Sequence, residues 1–224
     1  MDSGVSAAII TSICGFATTI VLVIVNISIT RKTLKQNTNQ LIIRSIEEKR
    51  KYYLKKLNEF YLPLMNYLES SKSIYNKFFE GKPKGFRTLT YLLNRNKEIN
   101  GIRYQLTAND ESLLKQILDI GTQITNLIDK KSGLIEDPEL KNNYKPNPEI
   151  TDIKLDEEIS ILTLLQTHLR IIRLAKEGDL TGESERYEKY VYPREINFIL
   201  KEIIEKTKGN VKQLDQNISK LCSI

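Results

Sequence analysis

The alternation of polar and apolar positions begins with a stretch that has no alternation at all. From Ser3 to Thr30 no residue is charged, and Val5 to Ile29 is apolar apart from scattered Thr, Ser and Asn. That run exceeds the ~20 apolar residues needed to cross a hydrocarbon core of ~30 Å. A helix satisfies its own backbone hydrogen bonds, so lipid tolerates it. The pattern therefore predicts one transmembrane helix over 5–30. A cleaved signal peptide fits less well, because Met1-Asp2-Ser3-Gly4 carries no base and Val25-Asn26-Ile27-Ser28-Ile29-Thr30 lacks a small-residue cleavage site. Arg31, Lys32 and Lys35 follow the run and nothing basic precedes it. The positive-inside rule then predicts a single-pass protein of the bacterial inner membrane, N-terminus outside and C-terminal domain in the cytoplasm.

Downstream the period becomes helical. Ile43, Ile46, Arg50, Tyr53, Leu57, Phe60, Leu64 and Tyr67 step by three and four, as along one face of a helix. Arg50 interrupts that seam, which favours a bundle helix over a free coiled coil. Pro63 lacks an N–H and crowds the preceding turn, so it must kink this helix or start another. Gly81, Pro83 and Gly85 mark a loop, and Leu89, Leu92 and Leu93 a short helix over 86–96. Thr107 and Asp110 have the spacing of a capping box, ahead of the stripe Leu113, Ile117, Ile120, Ile124 and Leu127. Pro138, Pro146 and Pro148 make 136–150 the longest loop. A helix over 153–176 is apolar on two adjacent faces, which predicts a central place. After the polar loop 178–192, Pro193 suits the first turn of a last helix, whose stripe runs Ile196, Ile199, Ile203, Val211, Leu214, Ile218 and Leu221. The reading is all-α: a span at 5–30, a basic juxtamembrane helix at 31–61, and a cytoplasmic four- or five-helix bundle at 62–224.

Charge changes the picture only locally. Nine bases and two acids between Arg31 and Lys56 give that segment +7 of the total +6, so the rest of the chain carries −1. A basic segment beside an anionic leaflet gains on the order of 1 kcal/mol per base. Arg31, Lys32, Lys35, Lys49, Arg50 and Lys51 are thus expected to contact anionic lipid. Nucleic-acid binding would call for aromatics and a wider basic face.

Candidate chemistry is sparse. Cys14 and Cys222 have no metal-site spacing with the single histidine. His168 lies in the most apolar helix and reads as a core residue. No phosphate-binding glycine loop and no nucleophile elbow occurs. Glu47-Glu48 and Glu157-Glu158 point in different directions on a helix. No catalytic residue, metal or cofactor is expected, and the chain reads as non-enzymatic.

Lys56-Leu57-Asn58-Glu59-Phe60-Tyr61-Leu62-Pro63-Leu64, after a basic helix and an N-terminal apolar run, resembles small single-pass bacterial membrane effectors of antiphage systems. The accessory membrane proteins of type VI CRISPR loci are the nearest analogue. The likeness is nine residues in sequence and the whole chain in architecture. It implies a HEPN-like helical domain and assembly into a membrane pore. It implies no RNase site, because no Arg precedes His168 at the four-to-six-residue spacing of the HEPN nuclease motif.

Ala7, Thr11, Gly15 and Thr19 recur every four residues as a small-residue ridge, which promotes helix association in lipid. Thr18 and Asn26 lie near the same side and would form a polar lining in a ring of such helices. The functional expectation is an oligomeric membrane effector that permeabilises the inner membrane in antiphage defence. Its partners would be membrane lipids and further copies of the chain. The alternatives are a membrane-anchored scaffold or receptor for a cytoplasmic partner, and a degenerate HEPN-type nuclease.

Overall fold

Helices are the only regular elements beyond single turns among the described residues. The computed structural model of the 224-residue chain describes residues 3–94, 106–142, 144–145, 159–180, 184–187 and 190–223. Side chains are described from residue 19 on, except those of 184 and 185. The α-helices are α1 (Ser3–Lys56), α2 (Leu62–Phe79), α3 (Thr88–Leu93), α4 (Ala108–Lys131), α5 (Pro138–Lys141), α6 (Ile161–Glu177) and α7 (Ile196–Cys222). They divide between two compact units, one of Tyr52–Val211 and one of Met1–Lys51 with Lys212–Ile224.

Tyr52–Val211 is the bundle. Its core joins Phe60, Tyr61, Leu64 and Leu68 to Ile124 and Ile128 of α4, to Ile161, Leu162 and Leu165 of α6, and to Ile196, Leu200 and Ile203 of α7. A second cluster gathers Phe78, Tyr91, Leu92, Leu114, Ile117, Ile172 and Ala175. Helix α4 packs against both α2 and α6. Gly121 sets how closely α4 and α6 approach, since a Cβ there would meet Leu169 Cδ2 at 3.2 Å. That close approach centres the buried face of α4 on Leu114, Ile117, Gly121, Ile124 and Ile128. Leu113, Ile120 and Leu127, on the expected stripe, flank it half-buried.

Local chemistry fixes the helix ends. The expected capping box is present: Thr107 Oγ1 accepts from the Asp110 N–H at 3.1 Å, and Asp110 Oδ2 accepts from the Thr107 N–H at 3.0 Å. Ser160 caps α6 by accepting from the Thr163 N–H at 3.1 Å. Gly178, with φ +88°, closes it in the left-handed region that favours glycine. The expected start of that helix, 153–158, lies outside the described residues. Pro63 stands in the first turn of α2 (Leu62–Phe79), as expected of a proline that begins a second helix. A π-helical turn at Leu57–Tyr61 joins α1 to α2, and the Leu62 N–H reaches back five residues to the Leu57 carbonyl. Leu57, Phe60 and Tyr61 all lie in the core, at the i, i+3 and i+4 spacing of one helical face.

In the other unit, Arg50 Nε donates to Asp215 Oδ1 at 2.5 Å. Ile43 and Ile46 on α1, and Leu214 and Ile218 on α7, are partly covered. From Thr19 to Gln40 every α1 residue except Asn39 is exposed.

The transmembrane reading is corrected here. Among the described residues, no helix is long and apolar enough to cross a membrane. Arg31, Lys32 and Lys35 charge α1 on successive faces. The span over 5–30, the single-pass topology, the inner-membrane location and the pore are accordingly set aside.

Candidate functional site

One segment of α1 leaves apolar surface uncovered. Ile20, Val21, Leu22, Val23, Ile24 and Val25 are consecutive, and Ile27 and Ile29 follow. All are between 46 % and 60 % exposed. Each helical residue turns ~100° from the last, so six aliphatic side chains in a row cover the whole circumference. A helix apolar on every side is normally buried, and an apolar surface this continuous marks an interaction site.

The polar groups around the band are also open. Thr19 and Asn26 are exposed on it, while the side chains of Ala7, Thr11, Gly15 and Thr18 lie outside the described residues. Of the bases expected to meet lipid, Arg31, Lys32, Lys35, Lys49 and Lys51 are exposed. Arg50 is instead half-buried in its pair with Asp215. The band therefore ends in a basic collar, with one base taken up inside its own unit.

The bundle holds a different kind of site. Lys56, counted by sequence among the juxtamembrane bases, is buried to 5 % exposure. Its ammonium lies 3.2 Å from Asp137 Oδ2 and 3.6 Å from Glu136 Oε2. It also sits over the rings of Tyr52 and Tyr61, at 5.7 and 5.6 Å from their centroids. The Tyr61 hydroxyl donates to the same Asp137 oxygen. A hydrogen bond to Glu136, with burial and the two carboxylates beside it, pushes the Tyr52 hydroxyl up to about 12. Burial first, then Asp137, pushes Tyr61 further up. A second bond supports the turn, since Lys131 donates to Glu59 at 2.6 Å. Each of these groups has a partner within the cluster. Its effect is to latch Glu136 and Asp137, just ahead of α5, onto the π-helical turn.

His168 fits the reading of a packed residue. Its Nδ1 lies 2.9 Å from the Tyr190 carbonyl, and its ring meets Tyr192 edge-on at 5.8 Å. Desolvation lowers its pKa below the ordinary value, against the Tyr190 carbonyl that raises it. Burial pushes the Tyr192 hydroxyl up to about 12. Among the described residues, no group of three or more His, Cys, Asp and Glu is placed to hold a metal.

Two grooves open on the bundle surface among the described residues. One, of about 550 Å³, lies between α4 and α6 and is lined by Glu111, Lys115, Asp119, Arg173 and Lys176. Lys176 pairs with Glu111, and Arg173 donates to the Leu118 carbonyl at 3.0 Å, so its charges are largely spent within the protein. The other, of about 310 Å³, has an apolar floor of Ile128, Ile135 and Leu140.

The chain matches no protein-family model, no curated protein and no solved structure.

Proposed function

We propose that the protein is a non-enzymatic helical scaffold that works as an oligomer, with α1 as its assembly element and the bundle as the domain it gathers. The observation that carries this reading is the exposed aliphatic band from Ile20 to Ile29, apolar around the whole helix. A single partner helix covers one stripe of such a segment and leaves the rest in water. Burying the whole circumference takes more than one neighbour, so further copies of α1 in a parallel cluster answer the geometry. Each large aliphatic side chain buried in this way contributes roughly 1.5–3 kcal/mol. The Lys56 latch, with all its charges paired, supports a structural role for the bundle. A place among the effectors of antiphage systems belongs to the same proposal and rests on the Lys56–Leu64 resemblance.

Cysteine crosslinking tests the assembly. In a Cys14→Ser, Cys222→Ser background, Ile24→Cys treated with a short thiol crosslinker should give dimers, and Lys84→Cys on the bundle should not. A chain carrying two cysteines in the band, Leu22→Cys with Ile24→Cys, should give a ladder beyond dimer. Equal yields from Ile24→Cys and Lys84→Cys would reject the band as the interface.

A further inference from the structure

A second surface, on the bundle, is independent of α1. Tyr75 and Phe79 stand one helical turn apart on α2 and stack with centroids 5.9 Å apart and planes at 25°. Both stay open, at 39 % and 37 % exposure. Behind them, Phe86 meets Phe79 at 6.1 Å and Phe78 at 6.0 Å, both edge-on. Phe78 is fully buried. The rings thus form a shelf, anchored in the core at its inner edge and open at its outer edge.

The frame of this shelf is basic. Between Lys72 and Arg87 there are five bases and one acid, Glu80. Lys82 is committed to the fold: it pairs with Asp110 at 2.7 Å and lies over the Phe78 ring at 5.2 Å. Lys77 pairs with Glu80 at 3.2 Å, but both are about two-thirds exposed, and such a pair is readily exchanged. Lys72 is exposed on the face of α2 that carries Tyr75, three residues on. Lys84 is exposed in a turn whose shape is fixed. Gly81 and Gly85 take φ +75° and +84°, and backbone bonds close Lys82 to Phe79 at 3.1 Å and Phe86 to Pro83 at 3.0 Å. Lys72 therefore shares a face of α2 with the rings and Lys84 sits in a fixed turn two residues before Phe86, while Lys77, two residues from each ring, lies on the other side of the helix.

We propose that this shelf binds single-stranded nucleic acid, with bases stacking on Tyr75 and Phe79 and phosphates held by Lys72 and Lys84. Each nucleotide brings one planar ring and one negative charge. The surface offers adjacent open rings and cations in the same short segment, the combination that single-strand binding uses. An acidic peptide would use the cations and leave the rings without a role.

Fluorescence anisotropy of the full chain with labelled oligo(U) of about 12 nucleotides, within single-strand site sizes, tests this. Tyr75→Ala with Phe79→Ala should weaken binding at least about tenfold and leave the salt dependence unchanged. Lys72→Gln with Lys84→Gln should reduce the slope of log K against log salt by about 1.4, at ~0.7 per phosphate. All four positions are at the surface, and thermal melts matching the parent would confirm folding. Binding that survives the aromatic pair unchanged would overturn the proposal, and so would an absence of binding. Equal competition by a polyglutamate peptide of matching charge would transfer the site to acidic proteins and overturn it as well.

Discussion

Lys56 shows how far a residue's role depends on partners that are distant in sequence. Asp137 lies 81 residues away, and nothing in the local pattern of α1 marks this base as different from Lys55. Removing one member of a buried pair leaves the other charge without its counter-ion and costs about 3–5 kcal/mol. Lys56→Met should lower the denaturant midpoint accordingly, with the slope of the transition unchanged. The tyrosines beside it give a pH signature. Tyr52 titrates near 12 in the fold and near 10 in the unfolded chain. Its contribution is fully present below pH 10 and is lost as pH rises from 10 to 12. Melting temperature should fall across that window, and less steeply in Tyr52→Phe. His168 acts at the other end. Its pKa is lowered in the fold, so below the ordinary value of about 6.5 the unfolded chain binds the proton more readily. The neutral ring therefore supports the fold above pH 6.5 and progressively less as pH falls. Glu59 and Asp110, also lowered, begin to matter only below the ordinary carboxylate range. Between pH 6.5 and 5, His168→Leu should flatten the loss of stability seen in the parent.

At the scale of elements, helical periodicity and capping chemistry were legible, and the packing that refines them was not. Thr107 and Asp110 announce the start of α4, and Thr107→Ala should lower stability by about 0.5–2 kcal/mol in a thermal or denaturant melt. The expected α4 stripe shares Ile117 and Ile124 with the buried face, which also takes in Leu114, Gly121 and Ile128, because Leu169 packs closely on Gly121. A larger side chain has no room there: Gly121→Leu should cost about 1–3 kcal/mol through overpacking, with α4 and α6 losing hydrogen-exchange protection together. Pro63 signalled an irregularity, but a π-helical turn is a solution that sequence spacing alone does not distinguish from a kink. The 136–150 loop gave no sign that Glu136 and Asp137 close over Lys56, since that depends on the fold bringing them together.

For the whole molecule, apolar character at the N-terminal end of the chain was plain in the sequence, but what covers it was not. Length alone pointed to lipid; among the described residues no helix is long and apolar enough to cross a membrane, and copies of the chain are the proposed cover. The basic collar after the band makes this assembly sensitive to salt. Bringing several copies of α1 together also brings together Arg31, Lys32 and Lys35. Their repulsion is screened beyond ~10 Å at 0.1 M salt, so the assembly should tighten as salt rises, and dissociate on dilution more readily in its absence. The aromatic shelf was present in the sequence as Tyr75, Phe78, Phe79 and Phe86, but periodicity does not tell which of those rings stay open.

Sedimentation equilibrium of the full chain in detergent-free buffer, over a range of concentrations, tests the central claim most directly. The parent should show masses at integer multiples of the 25.9 kDa chain, of three or more, and Leu22→Glu with Val25→Glu should return it to the monomer with the bundle still folded. A parent that stays at 25.9 kDa, or that leaves the buffer only for lipid vesicles, would contradict assembly through α1.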